Sequence, residues 1–149
     1  MITLQQLNRA VCDRYRQALA AAGVKAPLVE EDLSTPFFPP CAKVVLEDGA
    51  DGLLLRSGRE RSAAFRLYYF AADSLHPKLE NLAVRSAVGT TFLDGLTVDG
   101  LYLVSEEGTA FATPDGVLTA TLSFTWAEPV PESAAELMET LNLNVEVQS

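Results

Sequence analysis

One run of alternating residues constrains the fold more than any other feature of the sequence. In residues 118–126, LTATLSFTW, apolar side chains alternate with threonine and serine at every second position. Successive side chains of a β-strand point to opposite faces, so this run predicts a strand with one buried and one hydroxyl-bearing face. Such a strand needs an apolar layer on its buried side. The chain is therefore predicted to contain a sheet packed against other elements.

Two segments show the three-to-four-residue spacing of apolar side chains that is typical of helices. The first covers residues 3–22, where Thr3 and Gln6 have capping-box spacing and Gly23 follows the last turn. The second covers residues 77–91. We expect both helices to cover the apolar face of the sheet.

Further strands are predicted at residues 44–46 and 62–73. The second of these carries apolar groups on both faces, which is typical of a central strand covered on both sides. Three Asp-Gly pairs, a strong hairpin signal, separate the later β-rich runs: Asp94–Gly95, Asp99–Gly100 and Asp115–Gly116. The predicted fold class is α+β, with a mixed or antiparallel sheet of about four to six strands and with Phe124 and Trp126 at its centre.

The length of 149 residues and the 48% hydrophobic content fit one globular domain, and we assign residues 1–149 to it. Near the end, residues 131–142 predict a short helix, and residues 141–148 alternate as in a strand. Leu143, Val145 and Val147 would then pair with a sheet edge of the same subunit or of a neighbour, or stay disordered.

Residues 47–61 contain three glycines and seven charged residues. The composition predicts a long, exposed and mobile hairpin connection, whose mixed charges suit a polar contact. Within it, Leu53–Leu55 either belong to the loop or extend the flanking strands. The candidate partner-binding residues of this segment are Asp48, Asp51, Arg56, Arg59 and Arg61.

Charge is unevenly distributed along a chain whose net charge is −9. Residues 1–26 hold four basic residues and one acidic residue, whereas residues 127–149 hold five glutamates and no basic residue. Either the asymmetry is incidental, or the two ends meet within a subunit or between neighbours. In the second case Glu132, Glu136 and Glu139 are partner-binding residues. The acidity argues against binding of nucleic acid, which requires clustered positive charge.

The residue types that carry chemistry do not form a recognisable constellation in the sequence. His76 is the single histidine, and Cys12 and Cys41 have no metal-ligand spacing. Neither phosphate-binding glycine motif occurs. We therefore predict no enzyme activity, no cofactor and no metal site. The sequence also predicts no secretory signal and no membrane span.

Several short motifs resemble those of the tail terminator, or tail completion, proteins of long-tailed bacteriophages and their prophage relatives. The resemblance covers nearly the whole chain in element order. It is carried by Phe37–Phe38–Pro39, Tyr68–Tyr69–Phe70, Asp99–Gly100, Asp115–Gly116–Val117–Leu118 and Ser123–Phe124–Thr125–Trp126.

The resemblance implies a fold like that of tail-tube subunits and a structural role in virion assembly. Such proteins form rings, commonly hexameric, that cap the tail tube and later meet the head. The implied partners are further copies of the chain, the tail-tube protein and a head-completion or neck protein, while DNA passes through the ring. The implied locations are the host cytoplasm and then the virion tail.

Two other readings remain open at this point. One is a different head–tail joining or neck protein. The other is a small-molecule-binding or enzymatic domain whose site would be built from Tyr68, His76 and scattered acidic residues.

Overall fold

The computed structural model describes residues 1–29, 38–55 and 57–129. Two α-helices and seven strands form the regular structure of this part of the chain. The helices are α1 (Leu4–Ala21) and α2 (Lys78–Thr91). The strands are β1 (Leu28–Val29), β2 (Cys41–Leu54), β3 (Gly58–Phe70), β4 (Leu96–Val98), β5 (Leu101–Leu103), β6 (Ala110–Ala112) and β7 (Leu118–Pro129).

Five of the strands form one mixed sheet in the order β1-β2-β3-β7-β6. β1 runs parallel to β2, and the other neighbours are antiparallel. β4 and β5 form a separate hairpin. The predicted α+β class, with a mixed sheet and two helices, is confirmed.

Helix α1 begins and packs as its sequence predicts. The Thr3 hydroxyl accepts a hydrogen bond from the Gln6 backbone at 3.0 Å, and the Gln6 side chain accepts one from the Thr3 backbone at 2.8 Å. The stripe of apolar residues faces the sheet, and the buried Tyr15 hydroxyl donates to the Tyr68 carbonyl at 2.9 Å. Helix α1 is therefore anchored to the middle strand of the sheet by both packing and a hydrogen bond.

The core lies between the two helices and one face of the sheet. Alternate residues of β3 and β7 point into it, and the rings of Phe65 and Phe124 meet edge-on with centroids 6.2 Å apart. The outer face of β3 is half-buried, with Tyr68 stacked on Phe70. Trp126 is buried as predicted, but it lies towards the far end of β7 rather than at the centre of the sheet.

One Asp-Gly pair forms the predicted hairpin turn. Asp99 and Gly100, with φ of 48° and 83°, connect β4 to β5, and two consecutive positive φ angles are the signature of a type I′ turn. Asp115–Gly116 instead closes a short 3₁₀ turn before β7, and Asp94–Gly95 joins α2 to β4 without a hairpin. Neither α1 nor α2 is long and apolar enough to cross a membrane.

Residues 47–61 form an exposed hairpin as predicted, but the prediction that they are mostly loop is wrong, and Leu53 and Leu54 extend the strand. β2 continues to Leu54 and β3 begins at Gly58, so most of the segment belongs to two paired strands. β7 pairs with β3 as far as the Gly58–Pro129 pair. β3 is hydrogen-bonded to β2 on one side and to β7 on the other. This pairing satisfies the backbone polar groups, so the charged segment is stable as strand although it has no apolar core of its own.

We call this three-stranded end of the sheet the distal extension. It comprises residues 47–54 of β2, 58–62 of β3 and 123–129 of β7.

Replacement of the buried indole tests the register of β7. We expect Trp126→Ala to lower the free energy of unfolding by about 3–5 kcal/mol, because a large side chain is removed from a packed site. Denaturant midpoints measure the loss. Thr125→Ala, on the exposed face of the same strand, is the matched control and should change stability by less than about 0.5 kcal/mol. Equal effects of the two variants would contradict the register.

Candidate assembly surface

The distal extension holds the described residues that the sequence marks as partner-binding. Asp48, Asp51, Arg59 and Arg61 all lie there. Arg56, Glu132, Glu136, Glu139, Leu143, Val145 and Val147 lie outside the described residues, as do the predicted helix 131–142 and strand 141–148.

Arg61 is the centre of a buried polar network. Its Nε donates to Asp51 of β2 at 2.7 Å, and its Nη1 lies 3.2 Å from a carboxylate oxygen of Glu128 of β7. The same Nη1 donates to the Ile2 carbonyl, and the guanidinium lies 5.3 Å from the centre of the Trp126 ring. One side chain therefore connects three strands and the N-terminal residues.

Burial changes the role that the sequence suggested for Arg61. Only 5% of the residue is exposed, and its hydrogen bonds are made within the subunit. A buried guanidinium needs such partners, because an unpaired charge in the interior is very costly. Arg61 is therefore a structural residue that fixes the extension, and not a charge presented to a partner.

Glu128 closes the network and was not singled out from the sequence. Its second carboxylate oxygen accepts a hydrogen bond from the Ile2 backbone at 2.7 Å. Burial alone would raise the pKa of Glu128, but the bonds from Ile2 and Arg61 outweigh it and hold the pKa below its usual range. The charged form is thus the one that the fold stabilises.

A signal for this network is present in the sequence. The inward positions of β3 continue from Phe65 through Ala63 to Arg61, and those of β7 continue from Trp126 to Glu128. A charged residue at an inward position on each of two neighbouring strands indicates a buried ion pair. The ion pair was not predicted, because the charge-rich composition of residues 47–61 favoured a loop.

Asp51 and Arg59 form the solvent-facing side of the cluster. Arg59 lies 3.0 Å from Asp51, whose side chain is 44% exposed. Partial burial would raise the pKa of Asp51, but hydrogen bonds and charges from Arg61 and Arg59 hold it below its ordinary value. Asp48 is exposed, and its carboxylate accepts a hydrogen bond from the Gly49 backbone.

The tip of the extension is apolar. Leu53 is 62% exposed, Leu54 40% and Leu55 88%. Three adjacent exposed leucines at the end of an ordered hairpin are unusual for a surface turn, where polar and glycine residues dominate. We call Leu53–Leu55 the leucine tip.

The excess of basic residues in α1 is partly used within the subunit. Arg14 donates to the carbonyl of Thr91 at 3.0 Å, at the C-terminal end of α2 where cations are favoured. Arg16 lies 2.9 Å from Asp13 on the exposed side of the helix. The basic character of residues 1–26 therefore overstates the charge that α1 presents to a partner.

The residues proposed for an enzymatic site have separate surroundings. Tyr68 lies on the outer face of β3, whereas the exposed His76 precedes α2 and lies 3.2 Å from Asp73. Both thiols are buried, and burial raises the pKa of Cys41, which disfavours the reactive thiolate. Within residues 1–29, 38–55 and 57–129, no group of three or more metal-ligating side chains comes together.

Comparisons with known proteins do not assign the chain to a family. No protein-family model matches it, and no curated protein matches its sequence.

The acid stability of the protein tests the network around Glu128. The folded pKa of this group lies below its unfolded value of about 4.5, so the unfolded state binds more protons at acidic pH. Wild-type stability should therefore fall as pH drops from about 5 through the folded pKa. Glu128→Gln should be less stable at pH 7, by about 3 kcal/mol, and should lose less further stability over the acidic range.

Denaturant midpoints between pH 7 and pH 3 provide the measurement. Glu47→Gln is the matched control, because Glu47 forms a 3.2 Å pair with Arg66 on the surface. Such a pair contributes about 0–1 kcal/mol. If the stability of wild type and of Glu128→Gln falls equally with pH, protonation of Glu128 does not cause the loss of stability in acid.

Proposed function

We propose that the chain is a structural subunit of a long-tailed phage or prophage tail, a tail terminator that forms a ring, caps the tail tube and meets the head. The observation that carries the proposal is the leucine tip on the strand-paired distal extension. Exposed apolar groups at the end of an ordered element favour contact with another protein over a small molecule.

The charges beside the tip suit a protein contact. Asp51 and Arg59 lie next to it in the extension and are partly exposed. A polar rim around an apolar centre is the usual composition of a protein–protein interface. The rim also limits association of the free protein through its leucines.

The residues that carry the family resemblance support the same proposal from the sequence side. Tyr68–Tyr69–Phe70 belongs to the middle strand of the sheet, and Ser123–Phe124–Thr125–Trp126 belongs to its neighbour β7. Asp99–Gly100 forms a hairpin turn, and Asp115–Gly116–Val117–Leu118 leads into β7. Two of the motifs thus belong to neighbouring strands of the sheet, and a third leads into one of them, whereas Asp99–Gly100 lies in the separate β4–β5 hairpin.

The proposed partners follow from this role. They are further copies of the chain in a hexameric ring, the tail-tube protein, and a head-completion or neck protein. Assembly would take place in the host cytoplasm, and the protein would end in the virion tail. The net charge of −9 suits a ring through which DNA passes without being held.

Polar substitution of the leucine tip tests the proposal. We expect Leu53→Ser/Leu55→Ser to fold normally, because both side chains are exposed, but to cap tail tubes poorly. A leucine buried at an interface contributes about 1.5–3 kcal/mol, so the apparent Kd for tube ends should rise by at least about tenfold. Electron microscopy of tubes assembled with the variant should show overlong tubes or tails without heads.

Leu93→Ser is the matched control, because Leu93 is 79% exposed and lies after α2, away from the extension. It should leave capping unchanged. Tails of normal length and infectivity from the tip variant would show that the leucine tip does not take part in capping. Labelled protein found at the neck and absent from the tube end would favour the head–tail joining alternative.

A further inference from the structure

The side of α2 that faces away from the core is basic and apolar. Lys78, Leu82 and Arg85 are four and three positions apart, so they share one face of the helix, and all three are exposed. Among the described residues, neither Lys78 nor Arg85 has a carboxylate within ion-pair distance. The acidic residue of the helix, Glu80, is half-buried and accepts a hydrogen bond from the Ala72 backbone. We call Lys78, Leu82 and Arg85 the α2 ridge.

Packing around the helix holds the α2 ridge in place. The buried Asn81 amide donates to the Gly116 carbonyl at 3.0 Å, which ties α2 to the 3₁₀ turn before β7. A groove of about 280 Å³ lies between α2 and the start of β7, with the buried Leu118 at its base. Arg85 is held by the ring of Phe111, with 5.0 Å between the guanidinium carbon and the ring centre. A surface that is arranged before it binds has a smaller ordering cost than a mobile one.

The outward face of the distal extension carries acidic and small residues. Side chains of β3 alternate between this face and the buried face that holds Arg61. In the register of the sheet, Asp48 lies opposite Ala64, and Glu60 lies opposite Gly52, all on the outward side. No basic residue occupies an outward position of the extension. Within residues 1–29, 38–55 and 57–129, no cation lies within ion-pair distance of Asp48 or Glu60.

A shallow hollow of about 290 Å³ lies on this outward face. The residues that line it include Asp48, Ala50, Ser62, Ala64 and Ser123, and we call it the outer hollow. Its small side chains leave the space open, and the exposed Glu106 adds a further acid at its border. Arg66, two residues beyond Ala64 on the same strand, is paired with Glu47 at 3.2 Å. The hollow is therefore an acidic surface with room for an apolar side chain.

We propose that the α2 ridge of one copy of this chain docks onto the outer hollow of a second copy. Leu82 enters the hollow, and the two cations of the ridge reach Asp48 and Glu60. The charges favour this occupant, because the chain has a net charge of −9 and the ridge is a basic surface that few of its other parts would repel. An apolar centre with charged residues around it is the usual composition of a protein–protein interface.

The spacing of charges on the two surfaces agrees. Lys78 and Arg85 are seven residues apart, which is about 10 Å along the helix, with a leucine between them. Along β3, the position opposite Asp48 is four residues from Glu60, so the two acids are about 14 Å apart, with Ser62 halfway along. The long side chains of lysine and arginine span the difference of about 4 Å. The leucine of the ridge then meets the small residues at the middle of the acidic face.

The two surfaces of one subunit cannot meet each other. Helix α2 packs against α1 on the inward side of the sheet, beside the start of β7. The outer hollow lies on the opposite side of the same sheet, so β3 and β7 separate it from the ridge. The contact is therefore heterologous, since one surface meets a different surface of the next copy, as a closed ring requires.

As the contact between neighbours in a ring, the proposal rests on the proposed function. Its test uses the isolated protein without tail tubes, so the two fail separately. Subunits that associate in this way but ignore tubes would leave the contact standing and overturn the tail role.

Exchange of charge between the two surfaces tests the proposal. The ridge variant is Lys78→Glu/Arg85→Glu, and the hollow variant is Asp48→Lys/Glu60→Lys. At low salt, sedimentation velocity should show concentration-dependent association of the wild type. Each variant alone should associate at least about tenfold more weakly, because like charges then oppose each other. A one-to-one mixture should associate again, because the acidic ridge of one variant faces the basic hollow of the other, and the reverse.

Neutral variants separate direct contact from damage to the fold. If circular dichroism shows that a charge-reversed variant does not fold, Lys78→Gln/Arg85→Gln and Asp48→Asn/Glu60→Gln replace the pair. Each alone should associate weakly, to a degree that salt does not change. Their mixture should form dimers that grow no further, because it contains one intact ridge and one intact hollow per pair.

A bulky side chain in the hollow tests the apolar part of the contact. Ala50 is exposed on the outward face, so Ala50→Trp should fold normally while its ring fills the hollow. Association should fall at least about tenfold without a change of charge. Unchanged association of this variant would overturn the docking of Leu82 in the hollow.

The matched control for the ridge variant is Arg9→Glu/Lys25→Glu, which reverses two exposed basic residues elsewhere and changes the net charge equally. It should leave association within about twofold of the wild type. Loss of association in this control but not in the ridge variant would overturn the proposal. A wild type that stays monomeric at every concentration, or a mixture that associates no better than its two components, would overturn it as well.

Discussion

The buried guanidinium of Arg61 is the interaction on which the arrangement of the sheet end depends. It joins Asp51 of β2, Glu128 of β7 and the Ile2 carbonyl, while its plane covers Trp126. Removing one partner would leave a charge buried without compensation, at a cost of about 3–5 kcal/mol. The network also anchors the residues that lead into α1, because both backbone groups of Ile2 are bonded to it two residues before the helix.

Local signals in the sequence were sufficient for the helices and for β7. A capping box and an apolar stripe define α1 through contacts within a few residues, and alternation alone defines the strand of residues 118–126. The error over residues 47–61 has a different origin. Glycines and charges are typical of loops, yet residues 58–61 pair with β7, 65 to 71 residues later in the chain, and so hold the hairpin as strand. No residue of the segment indicates that it pairs with β7.

The candidate surfaces were predictable only in part, for the same reason. Asp51, Arg59 and Arg61 lie in the one segment that the sequence singled out. The structure brings them into contact with one another, and Glu128 and Ile2, which the sequence did not single out, complete the network. Charge counts cannot separate contacts within a subunit from contacts between subunits. Arg14 shows this in α1, where it binds the end of α2.

The groove between α2 and the start of β7 could not be found from the sequence. Lys78 and Arg85 occur in an ordinary amphipathic helix, where charged residues are usually solvated. Their significance depends on Leu118 and Phe111, which come from distant strands and supply the apolar base and the ring that holds Arg85. Long-range pairing in the sheet creates that juxtaposition.

In the proposed ring, the two ends of β7 must keep a fixed position relative to the rest of the subunit. The first residues of β7 lie beside α2, and its last residues belong to the distal extension that carries the leucine tip. A heterologous contact closes into a ring only if the angle between successive subunits is the same each time. That angle is constant only if both ends of β7 are rigid. Asn81 fixes the first end to α2, and Arg61 fixes the other to β2 and the N-terminus. The buried ion pair, which by itself contributes little net stability compared with apolar packing, would thus have its main value in orientation.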